Sequence, residues 1–164
     1  MTRIVVGVDG SPHSKRALVR ALQEGQLRGG TVDAVYAFAP PKRALSDDLI
    51  GMSYGRMPAG GSISPDAPAH HPPSKLDEAT AEAESQLKMF VDEALAGFDG
   101  PRPRLIVVPE SHPAEALIDL SRAADLLVVG TRGLGGFAGM LVGSVAHQCV
   151  QHAKCAMLIL PPEE

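Results

Sequence analysis

Five short apolar runs, each bounded by turn residues, limit how this chain can fold. They are Arg3–Val8 (RIVVGV), Thr31–Phe38 (TVDAVYAF), Arg104–Val108 (RLIVV), Leu126–Val129 (LLVV) and Ala156–Leu160 (AMLIL). Near-continuous apolar runs of this length, rich in β-branched residues, mark strands buried on both faces. Helical patterns lie between them. Ser11-Pro12 reads as an N-cap with proline in the first turn, Ala17, Leu18, Ala21 and Leu22 repeat at helical spacing, and Gly29-Gly30 stops the helix. Ser74 with Asp77 fits a capping box opening a second helix to Leu95, whose apolar face is Ala79, Ala83, Leu87, Phe90, Val91, Ala94 and Leu95. His112-Pro113 opens a third, with Ala116, Leu117, Leu120 and Ala124 facing in, and Val145–His152 forms a fourth, with Val145, Cys149 and Val150 apolar. Strands that alternate with helices predict βαβ units: an α/β fold with an open five-stranded parallel sheet and helices on both faces.

At 164 residues the chain is expected to form a single domain, residues 1–164. Residues 39–74 break the alternation. They are rich in Pro, Gly and Ser, lack periodicity and predict a long flexible loop. The net charge of −4 excludes the basic face that nucleic-acid binders need, so no nucleic-acid partner is expected. No apolar run approaches the roughly 18 residues of a membrane span, and the first run ends at Asp9, too short for a signal-peptide core. A cytoplasmic protein without a membrane partner is expected. Cys149 and Cys155 match no metal-binding or C-x-x-C spacing and read as reduced, packed residues. No metal ligand set is expected.

The chemistry concentrates at GTRGLGGFAGMLVGS, Gly130–Ser144, between the fourth strand and the fourth helix. Six glycines in fifteen residues are costly to order, and a plain connection needs only two to six residues. Strand, glycine-rich loop and helix start together make a phosphate cradle: glycines let the backbone approach an anion, and the unpaired N–H groups of the helix point at it. Two familiar cradles do not fit. The loop has no lysine, which excludes the G-x-x-x-x-G-K-[ST] P-loop. Gly133–Ala138 matches G-x-G-x-x-[GA], but it follows the fourth strand, and the apolar last strand stands where the dinucleotide fold needs an acid. Asp9 and Gly130 both end strands, which puts them on one rim of the sheet, where ligands of such folds bind.

The spacing Gly130, two residues, Gly133, nine residues, Gly143-Ser144 resembles the signature of the universal stress protein family, ATP-binding type. The likeness runs over nearly the whole chain, from Val8-Asp9-Gly10-Ser11 through DLLVVGTRG at 125–133 to GSVAHQCVQHAKCAMLILP at the end; the loop at 40–74 is least like the family. The resemblance implies a Rossmann-like sheet of order 3-2-1-4-5, of the adenine nucleotide alpha hydrolase-like kind, that binds ATP or a related adenine nucleotide (AMP or ADP). Mg²⁺ would arrive only with the phosphates. By family position Asp9 would hydrogen-bond the nucleoside, Gly7 and Val8 would shape the pocket beside it, and Ala37 would touch adenine through its backbone. Val129, Gly130, Arg132 and Gly133 would line the ribose and first phosphates, and Gly143, Ser144 and Val145 would take the distal phosphates. Simpler readings stand beside these: Asp9 as a turn acid, Ala37 as a plain strand residue, Arg132 as a solvated cation, Ser144 as an N-cap. Residues between Gly133 and Gly143, including Phe137, Met140 and Leu141, would fold over the nucleotide as a flap.

Two positions depart from the family. Ala146 stands where nucleotide-binding members often have Thr, which removes a hydroxyl contact to phosphate and about tenfold or more in affinity. Tyr36 stands where His is frequent and is expected to be structural. No catalytic residue is expected. The loop holds no poised general base and no lysine for a γ-phosphate, His70 and His71 fall in the long loop, and His147 and His152 are five apart, off one helical face. The expected function is a nucleotide-loaded regulator of stress responses with little or no hydrolysis. The alternatives are a nucleotide-free dimeric interaction module and, behind it, a slow nucleotide hydrolase or adenylating enzyme. The last strand, 156–160, would be an uncharged sheet edge, which needs a partner, and the family pairs it across a two-fold axis; a homodimer is expected.

Overall fold

The computed structural model describes residues 1–41, 73–133 and 142–161. The long loop expected over 39–74 falls mostly outside those residues, as does the flap with Phe137, Met140 and Leu141. In chain order the elements are β1 (Arg3–Gly7), α1 (Pro12–Arg28), β2 (Thr31–Phe38), α2 (Lys75–Ala94), β3 (Arg104–Pro109), α3 (Pro113–Ser121), β4 (Leu126–Gly130), α4 (Ser144–His152) and β5 (Ala156–Leu160). All five strands are parallel, in the order β3-β2-β1-β4-β5.

The apolar runs become strands with small shifts at their ends. β1 stops at Gly7 rather than Val8, although the Val8 N–H still reaches the Val35 carbonyl at 2.9 Å. β3 and β4 each run on, to Pro109 and Gly130. Ser11 caps α1 by accepting the Ser14 N–H, and Ser74 forms the expected capping box with Asp77.

Alternation along the strands divides the core in two. Ile4, Val6 and Val8 of β1 face α1 and α2, in a cluster with Leu18, Leu22, Leu87 and Val91. Val5, with Val35 of β2 and Leu127 and Val129 of β4, faces α3 and α4 through Leu117, Ala146 and Cys149. Cys149 is fully buried, and burial pushes its thiol up to about 11, as befits a packing residue. Val150, apolar by pattern, is 58% exposed on α4.

One charge lies inside this sheet. Asp33 of β2 is fully buried, and two arginines that each begin a strand converge on it. Arg104 holds both its oxygens, Nε to Oδ1 at 2.6 Å and a second guanidinium N–H to Oδ2 at 2.8 Å, and Arg3 Nε reaches Oδ2 at 2.8 Å. Burial raises the Asp33 pKa, but the hydrogen bonds and charges of Arg104 and Arg3 outweigh it and hold the carboxyl below its usual 3.8. The clamp ties β1, β2 and β3 together at the end of the sheet where Arg3 and Arg104 begin their strands. A group whose folded pKa is depressed contributes stability above its unfolded pKa and loses it as pH falls through the folded value. Unfolding free energy should therefore drop as pH falls below about 4. In urea titrations at neutral pH, Arg104→Met is expected to cost about 1–2 kcal/mol, because Arg3 remains and Arg104 is partly in water. Arg3→Met with Arg104→Met is expected to cost about 3–5 kcal/mol, because it leaves a buried charge unpaired.

Candidate functional site

The strand order reverses between β1 and β4. The chain leaves β1 for α1 on one face and leaves β4 for α4 on the other, so their C-terminal ends part and open a crevice. A cavity of about 400 Å³ fills it. All eleven residues nominated from the sequence line this one space: Gly7, Val8 and Asp9 from the end of β1, Ala37 from β2, Val129, Gly130, Arg132 and Gly133 from β4 and its loop, and Gly143, Ser144 and Val145 from the start of α4. Among the described residues the lining also includes Ala146, noted from the sequence as a departure at the phosphate end, and five residues the sequence did not nominate: Ser14, Val35, Pro113, Leu117 and Thr131. Pro113 and Leu117 carried only a helix-start and core signal. They reach the cavity because α3 packs beside the ends of β1 and β2.

The starts of α1 and α4 at this rim differ. At α1, Ser11 Oγ accepts the Ser14 N–H at 3.2 Å, Asp9 Oδ1 accepts the Ser11 N–H at 3.0 Å, the Ser11 carbonyl takes the Lys15 N–H, and Pro12 has no N–H. Ser14 Oγ turns back to accept the Asp9 N–H at 3.3 Å. Asp9 is thus the turn acid of the simpler reading. At α4 the N-cap is Gly143, with no side-chain cap, and the first helical amide returned to the cap carbonyl is that of His147. The expectation of Ser144 as N-cap is corrected: it is the first helical residue, because Gly143 takes the extended cap conformation (φ −72°, ψ 164°). The N–H groups of the first turn of α4 have no carbonyl below them in the helix and open toward the cavity. With no side-chain cap, the start of α4 keeps more of its donors for an anion than that of α1, where Ser11 takes the Ser14 N–H.

Close backbone approaches shape the wall. A Cβ on Gly133 would run into Asp9 Oδ2, so the second glycine of the spacing is what lets the carboxylate sit against the loop. A Cβ on Gly143 would meet the Thr131 carbonyl at 3.1 Å, and the Gly143 N–H already bonds that carbonyl at 2.5 Å. The residue after the first glycine and the last glycine of the motif are thereby joined, although residues 132–142 separate them in sequence.

The base-sized part of the cavity is apolar, with Gly7, Val35, Pro113, Leu117 and Val129 around it. Val35 turns its carbonyl to Val8, so Ala37, two residues on, presents its N–H and C=O to the same side. By then β1 has ended. The next residue in register is Asp9, whose amide goes to Ser14. Ala37 therefore faces the cavity with one donor and one acceptor a few ångströms apart. Tyr36 packs on the α2 side of the sheet, a structural position, with its hydroxyl 3.5 Å from Gln86. His147 and His152 are exposed.

Beyond the cavity, half-buried Glu110 and exposed His112 and Glu115 bring ligand-type atoms together at the start of α3. Glu110 accepts the His112 N–H at 2.8 Å, and this bond, with its histidine neighbour, holds the Glu110 carboxyl below its usual range.

Among known proteins, residues 1–161 match the sequence profile of the universal stress protein family. Universal stress protein Rv2005c of Mycobacterium tuberculosis is 30% identical over 161 residues, 95% of this chain and 44% of that one. A universal stress protein of Thermus aquaticus is 28% identical over 159 residues, 96% of each chain. The chain spans less than half the length of several curated relatives it matches. Among solved structures, a universal stress protein in complex with cAMP superposes with TM-score 0.62 at 24% identity, over 99% of this chain and 98% of that one. The Archaeoglobus fulgidus universal stress protein in complex with dAMP superposes with TM-score 0.56 at 20% identity, over 97% of each. At these identities the structural likeness speaks for the fold.

The approach of Gly133 to Asp9 has a measurable consequence. Gly133→Ala should swing the Asp9 carboxylate off the Ser11 N–H and cost about 1 kcal/mol of stability, as should Asp9→Ala. In a double-mutant cycle the two together should cost little more than either alone; full additivity would mean the contact is not shared.

Proposed function

The chain belongs to the universal stress protein family, and from that premise we propose that it binds an adenine nucleotide, ATP in particular, in the β1–β4 cavity and acts as a regulator of stress responses with little or no hydrolysis. The observation that carries the reading is the pairing, in one cavity, of an apolar slot edged by the Ala37 backbone with an uncapped helix start at Ser144. The two ends suit the two ends of a nucleotide.

At the slot, the Ala37 carbonyl suits the N6 amino group and its N–H suits the N1 acceptor of adenine. Guanine carries the reverse, O6 and N1–H, and would leave both backbone groups facing like partners. Asp9, already held by the Ser11 N–H, can accept from ribose hydroxyls. The phosphates reach the first turn of α4, where backbone N–H groups and the Ser144 hydroxyl can hold them. Ala146 lines the same end with no hydroxyl to add, so modest affinity is expected. It is also the feature that favours the alternative of a nucleotide-free dimeric module.

Hydrolysis needs a water to be activated and γ-phosphate charge to be neutralised. Among the described residues, the ionisable side chains lining the cavity are Asp9 and Arg132, and Asp9 sits at the turn into α1. That supports slow turnover or none. A regulator of this kind works through the occupancy of its site. The neighbours in complex with cAMP and dAMP support an adenine ligand. We place the protein in the cytoplasm; among the described residues no helix is long and apolar enough to cross a membrane.

Calorimetric titration should show binding of ATP, ADP or AMP and at least tenfold weaker binding of GTP. With no Trp and two Tyr the chain absorbs little at 280 nm, so co-purified nucleotide would show as a 260 nm excess. Gly143→Val, which presses on the Thr131 carbonyl, should abolish binding with the fold intact by circular dichroism. Turnover near the enzyme median of about 10 s⁻¹ would overturn the regulator reading.

We further propose a homodimer through β5. This strand is a sheet edge, is apolar along its length and is only half-buried from Met157 to Leu160. Antiparallel pairing with a second copy would satisfy its outer backbone groups. Light scattering behind size exclusion should give twice the chain mass; a monomer at all micromolar concentrations would exclude this pairing.

A further inference from the structure

Thr131 follows the first glycine of the motif and lies in the cavity wall, between the end of β4 and the start of α4. Its backbone is fixed on both sides: its N–H goes to the Leu160 carbonyl at 2.9 Å, and its carbonyl receives the Gly143 N–H. Its side chain is 92% buried (8% exposed), and its hydroxyl meets no hydrogen-bond partner; among the described residues no other buried side-chain polar atom is left in that state. Buried hydroxyls are rarely left so, because the loss of water is not repaid. A valine would fill the same volume without that cost. A hydroxyl left at such a place calls for a partner that the ligand-free protein does not supply.

We propose that Thr131 is a phosphate-binding residue whose hydroxyl donates to a phosphate oxygen of the bound nucleotide, an inference that rests on the nucleotide-binding reading above. Three observations point to phosphate rather than base or ribose. The Thr131 carbonyl holds Gly143, the N-cap of the helix whose first turn opens to the cavity, so the hydroxyl belongs to the anion end. The apolar slot that suits the base is built mainly from β1, β2 and α3, with Val129 the one residue of β4 beside it. Asp9, the acceptor suited to ribose, approaches the loop at Gly133, two residues further on. Rotation about χ1 carries the Thr hydroxyl to another staggered position, so the group can turn to a ligand without moving the fixed backbone. The ligand-free protein then carries an unmet hydroxyl that occupancy satisfies, which links stability to loading.

The substitution Thr131→Val separates this role from a structural one. The wild type is titrated first with ATP, AMP and adenosine; absence of binding would overturn the nucleotide reading and this inference with it. If the wild type binds, Thr131→Val should weaken ATP and AMP about tenfold or more, leave adenosine within about twofold, and leave the ligand-free melting temperature unchanged or higher. Thr131→Ser, which keeps the hydroxyl, should restore ATP affinity to within a few-fold of wild type. Unchanged ATP affinity in Thr131→Val would overturn the inference while the nucleotide reading stands. So would a lowered ligand-free melting temperature, which would give the hydroxyl a structural partner. Equal loss for adenosine would assign it to ribose and also refute the phosphate role.

Discussion

The pairing of β1 with β4 is the contact on which the candidate site depends. Ile4, Val5 and Val6 lie in register with Leu126, Leu127 and Val128, and the sheet grows outward from that ladder in both directions. Parallel strands buried on both faces must be joined by crossovers that cover those faces. Growth in both directions puts α1 and α4 on opposite faces, so the chain leaves neighbouring strands in opposite senses. The crevice between them follows from the order of the strands, and the glycines then decide what it can hold.

Within the crevice, backbone geometry does what side chains do in many other sites. At the start of α1 the side chains of Ser11, Asp9 and Ser14 take up the Ser14, Ser11 and Asp9 N–H groups, whereas Gly143 gives α4 no side-chain cap. Two helix starts on one rim would otherwise compete for an anion. Gly133 allows Asp9 to approach, and the bond from Gly143 to Thr131 joins the ends of the motif. A glycine-spaced motif reads as a signature because a Cβ would collide with Asp9 at Gly133 and press on its neighbours at Gly130 and Gly143.

Much of this was legible in the sequence. β2 and β5 span the runs read from apolar pattern, and the capping residues Ser11 and Ser74 stand where local chemistry put them. The cavity gathers the residues that spacing and family resemblance nominated. What escaped were interactions whose partners are remote. Asp33 sat unremarked in an apolar run, although a carboxylate in a strand buried on both faces requires a cation. Arg3 and Arg104 are 30 and 71 residues away, and only register brings them to it. Ser144 looked like a cap by residue type, but the backbone turns into the helix one residue earlier, at Gly143. Thr131 is an ordinary strand-end residue in sequence, and its isolation appears only when the surrounding wall is closed.

The sequence alone determined the class of fold and the kind of loop. Both are local: a buried strand is written in five or six consecutive residues, and a cradle in the spacing of glycines along one loop. The tertiary structure decided which helix start keeps its donors, which backbone edge faces the slot, what neutralises Asp33 and which hydroxyl is left without a partner. Each of these depends on atoms brought together by strand order and register. Their free energies come from burial and from partners met or missing, quantities that have no value until the chain has closed around them.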